Sequence, residues 1–502
     1  MFSWLRGSSK KEEIKLSVPE ALEILHSSSD FLPVSIGDDE NIFVMSYYKS
    51  LIDAQDLQEQ FICSVKRARD DIKTLEDLKT YIPYEDVTIT SDGKKVMDNL
   101  LEGYIAFQIY KEQKECALIK VLNIEGGFRT ENDTENEFSV TGPKLGFVED
   151  LDMNLYMLRK TFVTEKLSFK EVSLGNLSKS RIVIVYVEGI TNEKHIENVT
   201  ERINNIDFDV VFDGSLLDQL LSDNQNTPFP LFLGTERIDR AIQTLINGQL
   251  VIFTSGSPYA ITGPSSLFDF FISPEDYYLP WIIGSFLRVT RFFAVAFSIF
   301  ATSMYVAVLT FHYEMIPKDL LGPLVYSRAN VPFPPVLEVL FLEITIELLR
   351  EAGARLPTKI GQTLGIVGGI VIGQASVEAS LTSSVLLIIV ALAALASFTT
   401  PTSRMSNTIR LLRFPFIILA AFLGGLGIVI GIVFLLVHLM RLQSLTSPYL
   451  APLYPFRSKD MWGFLFRPPY NFSTARPAYL RPLSKWRYNP KRGNKTKEID
   501  KE

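Results

Sequence analysis

Cysteine and histidine are scarce in this chain. Its 502 residues hold two cysteines, Cys63 and Cys116, and four histidines, His26, His195, His312 and His438. Two cysteines allow at most one bridge, which excludes a disulfide scaffold; a reduced pair in a cytoplasmic domain is the expected state. The histidines lack metal-ligand spacing and there is no C-x-x-C, so no metal site is read. G-x-S-x-G and Walker A patterns are missing as well. No catalytic set emerges, so the chain is not read as an enzyme and no cofactor is expected. His195, beside Lys194 on a helical stretch, reads as a solvated surface residue, and Ser257 in GSPY as a turn residue. The N-terminal MFSWLRGSSKKEE has no apolar core of the kind a secretory signal needs, so the N-terminus is expected to stay in the cytoplasm.

Charge is unevenly spread. Residues 1–280 carry 27 Lys and Arg against 46 Asp and Glu, residues 281–440 carry ten against seven, and residues 441–502 carry 13 against four. The chain is therefore an acidic soluble half, an apolar block and a basic tail. The run 292–311 has 20 residues without charge, and about 20 apolar residues of helix span a bilayer core. Arg288 and Arg291 precede it, which puts the soluble half on the cytoplasmic side. The run 414–437 is a second uncharged span. Between Ile360 and Ser403 the one charge is Glu378; this stretch fits two spans, near 363–379 and 384–400, with SLTSS at the bend. Four crossings leave both termini cytoplasmic. They also leave Arg404, Arg410 and Arg413 facing outward, against the usual bias. Either that segment lies at the interface, or the polar helix before it crosses as well.

Glycine is concentrated where the charge is missing. GQTLGIVGGIVIGQ holds Gly361, Gly365, Gly369 and Gly373 at four-residue spacing. A phosphate loop would need a preceding strand and a following Lys-Ser/Thr, and a soluble helix would lose roughly 1 kcal/mol per glycine. In lipid, small residues at i, i+4 let backbones approach closely. The ladder thus predicts a helix-packing face, within one subunit or between copies; Gly427 and Gly431 repeat the spacing. Residues 336–352 differ. Glu343, Glu347 and Glu351 form one helical stripe by i, i+4 spacing, and Glu338 adds a fourth carboxylate. This helix is expected to span, to re-enter or to lie at the interface. Carboxylates at depth usually face a polar path and favour cations; the competing reading is a solvated face partnered by Arg350 and Arg355. Glu343, Glu347, Gln374 and Glu378 are the candidate residues of a cation path.

In the soluble half, RIVIVYV (181–187) predicts a buried strand, 188–206 a helix, FDVVFD (208–213) a strand and SLLDQLL a short helix. GTERIDRAIQTLINGQ predicts a helix ending near Gly248, and the following text a strand and hairpin. Strands alternating with helices indicate an α/β or α+β unit. An earlier unit opens with helical text at SYYKSLIDAQDLQEQFICSVKRA, then reads helix and strand; TENDTENE (130–137) reads as a loop. The expected organisation is an N-terminal segment (1–30), two soluble subdomains (31–145 and 146–280), a membrane domain (281–440) and a cytoplasmic Pro/aromatic tail (441–502). The tail lacks a core of its own, and its basic and aromatic residues suit anionic lipid headgroups. Nucleic acid is not an expected partner, because the rest of the chain is acidic.

The stretch PFPPVLEVLFLEITIELLREAGARLPTKIGQTLGIVGGIVIGQASVEA resembles the membrane signature of the A subunits of GerA-type spore germinant receptors. TGPKLGFVEDLDMNLYMLRK, residues 236–278 and SPYLAPLYPF are similar to that family too, so the resemblance spans nearly the whole chain. One departure is visible: where the family reads close to R-G-P-R-E-G-F, this chain has Thr141, Lys144 and Leu145 in the frame ending at Phe147. The resemblance implies a multi-pass protein of the spore inner membrane, acting with a transporter-like B subunit that recognises the nutrient and a lipoprotein C subunit. It implies self-association into a ligand-gated cation channel. A non-conducting scaffold relaying to a separate channel is the alternative. A secondary transporter is disfavoured by the lack of an inverted repeat.

Overall fold

The computed structural model describes residues 16–36, 43–52, 57–69, 71–84, 87–111, 113–121, 137, 141–355, 369 and 371–488. Strands β1 (Phe31–Ile36), β2 (Phe43–Tyr48), β3 (Val87–Thr90), β4 (Tyr104–Gln108) and β5 (Cys116–Lys120) form an antiparallel sheet ordered β1-β2-β4-β5-β3. Side chains alternate across a strand, and the sheet uses both faces. Ala106, Cys116 and Leu118 pack toward helices α1 (Val18–Leu25) and α2 (Gly93–Leu101). Ile105, Phe107, Ala117 and Ile119 pack toward Phe61, Val65 and Leu78 on the other face. The residues SYY, expected to open a helix, end strand β2 instead, because every residue from Met45 to Tyr48 is buried. The loop reading of 130–137 lies almost wholly outside the described residues. Cys63 and Cys116 are free thiols.

The second sheet has the order β6-β7-β9-β10-β8, again antiparallel. Its strands are β6 (Leu167–Leu174), β7 (Ser180–Val187), β8 (Leu233–Thr235), β9 (Leu250–Thr254) and β10 (Ala260–Gly263). Val183, Val185 and Phe253 face α3 (Leu151–Thr161) and α6 (Ile238–Asn247). Ile182, Ile184 and Ile252 face α4 (Glu193–Asn205) and α5 (Gly214–Leu221). With both sheets wholly antiparallel, the α+β alternative holds. Helix α6 stops at Gly248, whose φ of +96° is open to glycine without strain. The expected strand at 208–213 is irregular: Phe208, Val210 and Phe212 stay exposed, and only Val211 turns inward.

Arg159 ties the two soluble units together. It is fully buried on α3, donates to Asp30 at 2.9 Å and to the Leu167 carbonyl at 3.1 Å, and lies over the rings of Tyr48 and Phe169 at 4.1 and 4.4 Å.

The helical block begins with α7 (Trp281–Phe311), which starts well before the uncharged run. Arg288 and Arg291 are therefore inside this helix, both holding Asp276 of the soluble side at 3.2 and 3.1 Å. That end of the block is the near end. The helices α8 (Lys318–Arg328), α9 (Pro335–Ala354) and α10 (Ser384–Ser397) follow, with a further short helical stretch at 371–378.

The single last span expected at 414–437 is instead part of a hairpin. Helix α11 (Ser403–Arg441) reverses at Gly424, which has φ +59° and ψ −138°. Its two halves run antiparallel: Gly427 lies against Leu419, and Gly431 against Phe416. Both ends meet the soluble domain, where Thr408 donates to the Pro228 carbonyl and Thr227 pairs with His438 at 2.9 Å. The reversal sits at the far end, beside Phe311 of α7. Arg404 and Arg410 consequently lie at the near end, and Arg404 pairs with Asp218. Helix α9 runs back from the far end toward the soluble domain, its Glu338 beside Arg328 and its Glu347 beside Arg410.

Gly427 is needed for closeness rather than for conformation. A Cβ there would stand 2.1 Å from the Leu419 carbonyl oxygen, a backbone atom that cannot step aside. Gly427→Ala is expected to force the hairpin halves apart and to cost about 1–3 kcal/mol by overpacking. A fall in the melting temperature of the detergent-solubilised chain would register it.

The tail borrows a core. Leu445, Tyr449 and Leu450 join the core shared by the second sheet and the helical block, and Tyr479 and Leu480 are buried as well. Short strands β11 (Gln443–Ser444) and β12 (Ser447–Pro448) pair with each other, and α12 (Ser458–Leu465) sits at the base of α7 through Arg288 and the Gly463 carbonyl at 3.0 Å. Several of its cations hold protein carbonyls: Arg476 donates to Ile246 O at 2.7 Å. The headgroup expectation thus does not describe the whole tail; its exposed aromatics include Trp462 and Phe466, stacked at 5.2 Å.

His195 corrects the surface reading. It is buried beneath the tail, with Nε2 3.3 Å from the Leu480 carbonyl oxygen. Burial pushes its pKa below the ordinary 6.5, and the Arg481 charge pushes the same way. An undocked chain protonates His195 near the ordinary value, whereas the docked chain resists until lower pH. Docking is therefore fully supported above about pH 6.5 and weakens as pH falls below it. Limited proteolysis of the tail is expected to quicken on acidification, and His195→Gln to flatten that pH dependence.

Candidate functional site

Helix α9 begins after a run of prolines, with Pro335 as its first residue, where the missing N–H costs nothing. Its carboxylates descend through the block from the far end to the near end. Glu338 is fully buried. It accepts from the Ser383 backbone N–H at 2.5 Å and from Thr382 Oγ1 at 3.3 Å, and Arg328 stands at 3.4 Å. Ser383 caps α10, so this carboxylate meets the positive end of that helix. Tyr305 of α7 reaches the Ser383 hydroxyl at 3.0 Å.

Glu343 is also buried, and Arg413 of α11 holds it at 3.1 Å. The same guanidinium donates to Ser298 Oγ at 2.5 Å on α7 and to the Ala393 carbonyl at 2.7 Å on α10. One ion pair thus joins four helices at mid-depth. Glu347 is half-exposed, paired with Arg350 and 3.8 Å from Arg410. Glu351 is exposed and pairs with Arg355 at 2.6 Å. The Arg350 and Arg355 partners weighed from the sequence are both present, but for Glu347 and Glu351 alone.

Gln374 and Glu378 are placed differently. Both are exposed on the outer side of 371–378, and Gln374 Nε2 donates to Glu378 Oε1 at 2.8 Å. Among the described residues nothing lies within 4 Å of a Cβ placed on Gly369, and one placed on Gly373 would meet Leu387 of α10 at 3.6 Å. Gly361 and Gly365 lie outside the described residues. The exposed face continues in Val371 and Ile372. Among the described residues, Glu343 and Glu347 are not brought together with Gln374 and Glu378. Glu343 and Glu347 meet arginines of the same chain, whereas Gln374 and Glu378 look away from it.

The sequence reading missed Arg413 as the partner of Glu343. The signal was present: three arginines stood where the assumed topology wanted none. Among the described residues no cluster of three or more His, Cys, Asp or Glu suits a metal ion. By length and composition α7 and α11 are apolar enough to cross a membrane, α11 counted along both halves of its hairpin, and their outer faces expose Phe293, Phe422, Leu426 and Phe434.

The chain matches the family model described as Bacillus/Clostridium GerA spore germination protein over residues 20–479. It is 46% identical to spore germination protein GerQA of Bacillus cereus over 485 residues, covering 97% of this chain and 96% of that one. It is 44% identical to GerIA of Bacillus cereus, across 93% of this chain and 69% of the relative. A crystal structure of the N-terminal domain of the A subunit of the Bacillus megaterium germinant receptor GerK3 aligns with 49% of this chain and 91% of that chain, at 23% identity and a TM-score of 0.36. On the match that runs across nearly its whole length, this chain belongs to the GerA family of spore germination proteins.

Proposed function

We propose that this chain is the A-type membrane subunit of a nutrient germinant receptor in the spore inner membrane, with both termini cytoplasmic. On this reading α7, α9, the segment ending in the helix at 371–378, α10 and the two halves of α11 cross the bilayer. Copies of the chain associate, and a transporter-like B subunit and a lipoprotein C subunit complete the receptor. Trp462 and Phe466 rest at headgroup level beside α7. The assembly opens a cation path when the nutrient binds.

The observation that carries the reading is the outward Gln374–Glu378 pair on an otherwise apolar face beside Gly369. A carboxylate is costly against lipid and is normally kept in a polar cavity. Identical faces brought around a common axis supply such a cavity, and a ring of carboxylates favours cations. Glu343 and Glu347 serve the same path less directly, since Arg413, Arg350 and Arg410 already balance them; they fix where the surrounding helices stand. The alternative is a scaffold that relays the nutrient signal to a separate channel, supported by the same charge balance.

The test is cation flux through the chain reconstituted in liposomes with its partner subunits, with and without nutrient. The channel reading expects nutrient-dependent flux, an altered flux in Glu378→Gln with assembly intact, and a blocked or impaired path in Gly369→Leu. An intact complex that binds nutrient and passes no ions would make the chain a relay.

A further inference from the structure

A cavity of about 490 Å³ lies where the soluble domain meets the near end of the helical block. Arg237, Arg240, Arg291, Arg350 and Arg410 line it, against the carboxylates Glu137 and Glu275. Four of these guanidiniums are engaged by carboxylates: Arg237 by Asp239, Arg240 by Glu137, Arg291 by Asp276 and Arg350 by Glu347. Arg410 is held by neutral groups, Ser406 Oγ at 3.0 Å and the Asn407 side chain. Glu347 stands 3.8 Å from it and is shared with Arg350.

Arg410 is only 8% exposed, and its Nε has no hydrogen-bond partner among the described residues. Thr400, buried on the same wall, has an unpartnered Oγ1. Helix α11 also starts on this wall, at Ser403, without a side-chain cap. A buried cation lacking a full counter-charge and a filled set of acceptors is unfavourable. An oxyanion answers all three features. The guanidinium fork matches phosphate oxygens, a hydroxyl donates one more bond, and a helix N-terminus favours negative charge.

We propose that this cavity binds a phosphate-class oxyanion through Arg410, Thr400 and the start of α11, linking the soluble domain to the helical block. The phosphate comes from an anionic phospholipid headgroup or from free inorganic phosphate. The site is independent of ion conduction, and its test does not read germination.

The test uses the full chain in nanodiscs of phosphatidylcholine alone or with phosphatidylglycerol. Native mass spectrometry reads retained lipid, and thermal stability during a titration with inorganic phosphate reads the free anion. Retained phosphatidylglycerol identifies a headgroup, and saturable stabilisation by inorganic phosphate in phosphatidylcholine discs identifies the free ion. Either supports the site if Arg410→Gln weakens it at least about tenfold and Thr400→Val about threefold. Arg355→Gln, an exposed charge elsewhere, is expected to leave it unchanged. Should Arg410→Gln fold poorly, Thr400→Val decides. Absence of both ligands from the wild type, or equal binding by the wild type, Arg410→Gln and Thr400→Val, overturns the proposal.

Discussion

Replacing Arg413 by leucine is expected to destabilise the helical block by about 3–5 kcal/mol, the range for removing one partner of a buried ion pair. Glu343 would remain almost wholly buried, with no cation and with one carboxylate oxygen already lacking a partner. The Ser298 hydroxyl and the Ala393 carbonyl would lose their donor as well. The double variant Glu343→Leu with Arg413→Leu is expected to recover most of the loss, because two apolar side chains can occupy the volume without a charge left behind. Thermal unfolding of the solubilised chain, read for both single variants and the double, measures this coupling. Additive losses would mean that the two side chains act separately. The result also bears on the proposed cation path. A pair that holds α7, α9, α10 and α11 together cannot be neutralised without disturbing assembly, so Glu378 is the cleaner probe of conduction.

Arg159→Leu is expected to cost the soluble half a similar amount, about 3–5 kcal/mol. Asp30 would keep its bonds from Ser28 and Ser50 but lose its buried cation. The rings of Tyr48 and Phe169 would lose a desolvated guanidinium, a contact worth up to about 2 kcal/mol in such surroundings. Asp30 belongs to the first unit, whereas Arg159 and Phe169 belong to the second, so the damage should fall on their union. Chemical denaturation of the wild type is expected to show one transition for the soluble half, and of Arg159→Leu an earlier transition for the first unit. Arg159→Lys should rescue poorly, since an ammonium lacks the flat face that two rings require.

Much of the architecture is legible in the residues themselves. Charge content separates the acidic half, the apolar block and the basic tail. β7, α4, α6 and the β9–β10 hairpin follow from local periodicity and from Gly248 as a stop. These are short-range signals, and local backbone preference determines them. SLTSS likewise marks a bend, and Ser380 there has a φ of +57°.

The elements that the residues left open depend on distant partners. Period alone could not tell a crossing α9 from an interfacial one, because the counter-charges of Glu338 and Glu343 are Arg328 and Arg413, the latter 70 positions away. The 24 uncharged residues of 414–437 look like one span, and only the approach of Gly427 to Leu419 reveals a reversal at Gly424. His195 looks solvated until a segment nearly 300 residues later covers it. Composition and periodicity determined which segments are apolar and which are helical. Tertiary packing decided which charges meet and which face of each helix stays open, because a buried charge is tolerable only beside its partner, and that partner can come from anywhere in the chain.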